Sequence, residues 1–256
     1  MSSAPVAGES QHLDRPAFYA LGSGGWRDLV TLLHPPYTAW HLSYIALGAA
    51  AAPQIHLDRL LAALGAFFLA VGVAAHALDE LNGRPLQTQL SDRALIALAS
   101  VALAGAIGIG IASLFLVSWS LAVFVVAGAF LVPAYNLELA GGRFHSDFWF
   151  AAAWGAFPAL TSWWANTLSL AHPDQVAAGL LVAAGCFGLS VAQRRLSTPV
   201  RELRRKTASV SGEQRLDDGT SVSLSAEALA APLDGALRAM SWAVVALAAG
   251  LVALRL

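Results

Sequence analysis

Seven apolar stretches, each bounded by charged or turn-forming residues, set the first limit on what this chain folds into. They run approximately from Tyr37 to Pro53, Arg59 to Leu78, Arg93 to Ala112, Leu114 to Val132, Asp147 to Leu168, Gln175 to Ala192 and Ala236 to Leu254. A helix needs about 20 mostly apolar residues to cross a hydrocarbon core of roughly 30 Å, and in lipid its backbone polar groups must be satisfied internally. The expectation is therefore all-α: a polytopic transmembrane helical bundle of about seven spans. Composition agrees, because 57% hydrophobic and 12% charged residues, with a mean hydropathy of +0.61, leave the chain insoluble unless lipid covers most of it.

Lys and Arg orient such a chain, since cytoplasmic loops retain them. Placing the N-terminus inside leaves only Arg59 and Arg255 outside, thirteen cations against two, which predicts N-in and C-out in a bacterial cytoplasmic membrane. Met1 to Gly25 is polar and lacks an apolar core behind basic residues, so no cleavable signal peptide is expected. Residues 1–36 read as a cytoplasmic tail and a short interfacial helix over Trp26 to Tyr37, ended by Pro35 and Pro36. Residues 37–192 form a six-span core, 193–235 a cytoplasmic loop, and 236–256 the last span.

That loop begins with the basic run Arg194 to Lys206, which suits anionic headgroups or, alternatively, a diphosphate. It has no aromatic interleaving, so nucleic acid is not an expected partner. Asp218-Gly219 between short alternating runs predicts a hairpin over Glu213 to Leu224, and Ser225 to Leu233 opens like a capped helix interrupted by Pro232. The segment reads either as an inert connector or as a lid. Cys186, the one cysteine, excludes a disulfide framework and reads as packing.

Two polar clusters fall on the cytoplasmic side. In HALDELNGRPL, His76, Asp79 and Glu80 share a helix end, with Asn82 and Arg84 beyond them. Adjacent carboxylates beside an imidazole suit a hard divalent cation such as Mg2+, and an arginine next to them suits a phosphate. Plain solvation of the helix end explains the same acids. The second cluster, in AYNLELAGGRFHSD, holds Tyr135, Asn136, Glu138, Arg143, His145 and Asp147. Asp147 also complements a helix N-terminus, which explains it without a ligand but leaves Glu138 and Arg143 unexplained.

With LHPPYTAW before the first span, DELNGRPLQTQLS after the second and PAYNLELAGGRFHSDFWFAAAWGAFPAL into the fifth, the chain resembles the UbiA-type membrane prenyltransferase superfamily over about 130 residues. The resemblance implies two acid-rich motifs that hold Mg2+, an isoprenyl diphosphate as donor, and a lipophilic or aromatic acceptor. Carried over, it assigns Asp79, Glu80, Asp147 and Tyr135 to catalysis. It assigns Asp79, Glu80, His76, Glu138 and Asp147 to metal, and Arg84, Arg143, Asn82 and Asn136 to the diphosphate. The chain departs from the family's first motif, whose earlier aspartate positions fall near Gly72 and Ala75, and it has seven apparent spans where the family has nine.

Other readings stay beside it: a terpene cyclase of the same type, or a non-catalytic lipid-binding or transport protein on the same scaffold. A retinal protein is excluded, because the one lysine, Lys206, lies outside the last span. A seven-helix zinc hydrolase lacks its histidines there. His41 with His76 is the pair that a haem or transition-metal site would use.

Overall fold

The computed structural model describes residues 15–256; the expected tail over residues 1–14 lies outside the described residues. The described chain is mostly helical. A short α1 (Trp26–Leu32) precedes α2 (Pro35–Ala50), α3 (Leu57–Leu81), α4 (Asp92–Leu116), α5 (Trp119–Asn136), α6 (residues 147–167), α7 (Pro173–Arg205) and α8 (Ala226–Arg255). Helices α3, α4, α5, α7 and α8 are long and apolar enough to cross a membrane, so five of the seven expected spans meet that condition. Helix α2 has only 16 residues, and α6 carries Thr161, Ser162 and Asn166 in its second half.

Helix α2 sits in the middle, packed on α8, α6 and α3. Its Trp40, Tyr44, Ile45 and Ala49 are fully buried, and Trp40 and Tyr44 join Ala159, Cys186, Leu237 and Val244 in the largest core cluster. Two glycines permit the close crossings. A methyl on Gly48 would land on the Ala159 carbonyl, and one on Gly155 would stand 2.6 Å from Ser190 Oγ and 2.7 Å from the Cys186 carbonyl. Small residues at such crossings let helix backbones approach where lipid offers no hydrophobic drive for association. Outward faces stay apolar, with Val101, Phe115, Leu116, Val126, Leu181 and Trp242 exposed.

Three boundaries differ from the expectation. The interfacial helix ends at Leu32, and Pro35 and Pro36 open α2 instead of closing α1. Proline has no N–H to lose in a first turn, and its fixed φ suits one. Helix α1 is also not simply laid on a surface: Asp28 is 3% exposed and accepts from Gly24 N at 3.0 Å and Gln89 N at 3.1 Å, tying the N-terminal segment to the loop after α3. Helix α7 continues thirteen residues past Ala192 because Gln193 to Arg205 is rich in good helix formers, although it is too charged to read as a span.

Helix α8 starts at Ala226, capped by Ser225 Oγ on Ala228 N at 3.1 Å, and runs through Pro232 rather than stopping there. The expected 193–235 loop thus shrinks to residues 206–225. These include the hairpin of β1 (Glu213–Arg215) and β2 (Ser221–Ser223), in antiparallel register with Gln214 opposite Val222. Thr220 donates from N and Oγ1 to Asp218, and those two bonds hold the Asp218 carboxyl below the usual carboxylate range.

Candidate functional site

At the end of the bundle where α2 and α6 begin and α3 and α5 finish, a polar chamber of about 470 Å³ opens among the helices. Pro16 to Tyr19 and the C-terminal half of α7 complete its wall, with Asp234 and Leu237 of α8. Two π-helical segments shape the floor, Phe68–Ala75 within α3 and Ala151–Ala156 within α6. Such segments offset the ladder and leave carbonyls in reach of side chains. The Gly72 carbonyl lies 3.1 Å from His76 Nδ1, and the Trp154 carbonyl 2.9 Å from His41 Nδ1. A carbonyl only accepts, so both imidazoles carry their proton on Nδ1 and leave Nε2 as an acceptor.

His34, the left-handed residue before α2, stacks on His76 with ring centroids 3.9 Å apart. Burial, then His76 and the cations of Arg205 and Arg201, hold His34 well below the ordinary imidazole value, so it is neutral at pH 7. Burial beside Tyr37 raises the Tyr19 phenol well above its usual value.

Of the residues expected from the sequence, His76, Asp79, Asn82, Tyr135, Asn136 and Glu138 line this chamber, contributed by α3 and by the end of α5. Asn82 Nδ2 donates to the Asn136 carbonyl at 3.2 Å and fastens the two motifs together. Tyr135 stacks on His145 at 4.6 Å, and its hydroxyl is buried with no partner among the described residues.

Four expected residues are not part of the lining. Glu80 is fully buried, and its carboxylate accepts from Leu86 N and Thr88 N, both at 2.8 Å, and from Thr88 Oγ1 at 2.9 Å. Its oxygens are committed to holding the loop after α3, which corrects its assignment as a metal ligand and catalytic residue. Arg84 turns to the same loop, donating to Leu90 O at 2.5 Å and pairing with Asp92, so it does not reach a diphosphate in the chamber. Arg143 is exposed outside the lining. Asp147 is 62% exposed and pairs with Arg194 Nε at 2.9 Å at the rim. Asp79 and Asp147 therefore do not face one cavity.

The five expected metal ligands do not converge. Among the described residues no three of His, Cys, Asp and Glu come close enough to hold a metal ion. The chamber offers Mg2+ one deep carboxylate, Asp79; Glu138 is half-exposed at the rim near His145, and Asp234 is taken by Arg204 at 2.5 Å. Five cations, Arg194, Arg201, Arg204, Arg205 and Lys206, line the same wall. A doubly charged cation finds few ligands there and like-charged neighbours, so the donor set does not fit a resident Mg2+.

Those cations are what the sequence left in a loop. With α7 helical to Arg205, Arg194, Arg201 and Arg205 fall seven and four residues apart on one face, a spacing visible in the sequence once the helix is extended. A second, apolar cavity of about 120 Å³ lies next to the chamber, with Val71 and Trp154 in the wall of both. Ala, Leu, Val and Phe side chains of α3 to α6 surround it, and it reaches Arg59 at the opposite end of α3. Twelve residues of helix between Val71 and Arg59 span roughly 18 Å. No protein-family model, no curated protein and no solved structure matches the chain.

Proposed function

We propose that the protein is a seven-span intramembrane prenyltransferase. Its N-terminus and chamber face the cytoplasm of a bacterial cell, and it moves an isoprenyl group from an isoprenyl diphosphate to a lipophilic or aromatic acceptor. The observation that carries this reading lies at Val71 and Trp154, the two side chains shared by the walls of an arginine-lined chamber and an apolar cavity. An anionic head with a long apolar tail fits that pair of spaces, and few water-soluble ligands do. The cytoplasmic orientation is supported by the charge bias, with Arg59 and Arg255 at the other end, where they donate to Ala165 O and Ala52 O.

In this reading the diphosphate lies against α7 and the tail passes Trp154 toward Phe67 and Phe157. The C–O bond to the diphosphate breaks, the leaving group stays with the guanidinium groups, and the allylic cation is sheltered by the rings of Tyr135, Phe150 and Trp154. The acceptor then attacks, and Asp79, whose carboxylate makes no hydrogen bond or ion pair with the described residues, takes its proton. The second reading is a non-catalytic lipid-binding protein, favoured by that single deep carboxylate.

Protein in lipid nanodiscs, given geranylgeranyl diphosphate and a membrane lipid extract, tests both. Pyrophosphate release that stops in Asp79→Asn, with a prenylated product, supports transfer. A cyclised hydrocarbon as sole product identifies a terpene cyclase instead. Tight binding without turnover selects the lipid-binding reading, and no binding removes all three.

A further inference from the structure

The geometry points to a direct guanidinium grip on the anionic head of the ligand, with no divalent cation between them. It rests on the reading above only for the identity of the tail. Arg194, Arg201 and Arg205 project from one face of α7 into the chamber. Arg201 is not held by a carboxylate: its NH2 donates to Thr198 Oγ1 at 3.2 Å, and no carboxylate of the described residues lies within 4 Å of it. Arg194 already holds Asp147 and packs over the Phe150 ring at 5.3 Å, which fixes one side of the site. Five cations face the three lining carboxylates and Asp147, with Arg204 and Arg194 each already paired, and the remaining positive excess is one that a phosphate or diphosphate group would balance.

The remaining polar groups also suit an anion. The Tyr135 hydroxyl is a buried donor with no partner among the described residues. His34 is held neutral by its surroundings and adds no competing demand for a carboxylate. A guanidinium keeps its charge at all accessible pH and presents paired N–H groups that match phosphate oxygens, so it replaces the charge neutralisation that Mg2+ provides elsewhere. The ligand class is thus a phosphorylated or diphosphorylated lipid, with a free phosphate or a phospholipid headgroup sharing the same chemistry.

The test uses full-length protein in detergent, stripped with EDTA, and follows tryptophan fluorescence on titration. The probes are geranylgeranyl diphosphate, inorganic pyrophosphate, geranylgeraniol and phosphatidylglycerol, each with EDTA and with Mg2+. The diphosphate lipid is expected to bind equally well in both conditions and more tightly than either pyrophosphate or geranylgeraniol. Arg201→Gln should weaken it roughly tenfold to a hundredfold, the range for one hydrogen-bonded charge. Arg201→Lys, which keeps the charge and the fold, should fall between the two.

Binding seen only with Mg2+ overturns the direct grip and leaves the isoprenyl diphosphate reading in place. Failure of the diphosphate lipid in both conditions, with pyrophosphate or phosphatidylglycerol bound in EDTA and lost in Arg201→Gln, overturns the substrate reading and keeps the grip. No binding by any anion overturns both.

Discussion

Glu80 separates a structural from a metal-binding account of the first polar cluster. Replacing it with Ala strips three hydrogen bonds from the loop after α3 and leaves the Leu86 and Thr88 amides without acceptors. Both residues are buried, at 4% and 7% exposure, so water does not replace the carboxylate. Each orphaned buried donor costs roughly 1–3 kcal/mol, and the two amides alone predict a loss on the order of 2–6 kcal/mol. Glu80→Gln keeps one carbonyl oxygen but turns an NH2 group toward a donor, so it should lose somewhat less.

The readouts are the unfolding midpoint in detergent and hydrogen exchange of the segment from Arg84 to Leu90. That segment should exchange faster in both variants, ahead of the rest of the bundle. Asp92→Asn is the control, because the Arg84–Asp92 pair is exposed at 34% and 70% and such pairs contribute about 1 kcal/mol or less. An unchanged midpoint and unchanged exchange in Glu80→Ala would refute the strut. So would wild-type stabilisation by Mg2+ that disappears in Glu80→Gln, which is the behaviour of a ligand.

Gly48→Ala should destabilise the bundle by at least roughly 1–3 kcal/mol, because the added methyl meets backbone of α6 that cannot rotate away; thermal unfolding in detergent checks it. Asp234→Ala removes the carboxylate that pairs with the Arg204 guanidinium, 2% exposed, and should cost roughly 1.5–3 kcal/mol, with α7 and α8 loosening together in hydrogen exchange. Val71→Trp adds bulk at the wall shared by the two cavities and should abolish geranylgeranyl diphosphate binding in the fluorescence titration while inorganic pyrophosphate still binds. His34 has a depressed value in the folded protein, so the unfolded chain binds its proton first and stability falls as pH drops below about 6.5. His34→Asn should flatten that slope below about pH 6.5, read as unfolding midpoint against pH.

The helices were legible because lipid imposes a simple rule of length and apolarity, and each expected span overlaps an observed helix. Hydropathy does not register where a helix outlives the membrane, so the extensions of α7 to Arg205 and of α8 back to Ala226 went unread, and with them the cations that line the chamber. The proline that opens α2 illustrates the same gap: Pro35 marks a boundary in any sequence, but its residue type alone does not say whether it closes one helix or opens the next.

By itself the sequence determined that the chain is a helical bundle with an apolar outer face, and that its ionisable residues gather at one end, because both follow from what a hydrocarbon environment tolerates. Which of those residues share a cavity was decided only in three dimensions. Asp79 and Glu80 are neighbours in the chain, yet one faces the chamber and the other is bonded into a loop, because adjacent positions on a helix point about 100° apart and each carboxylate takes the partners on its own side.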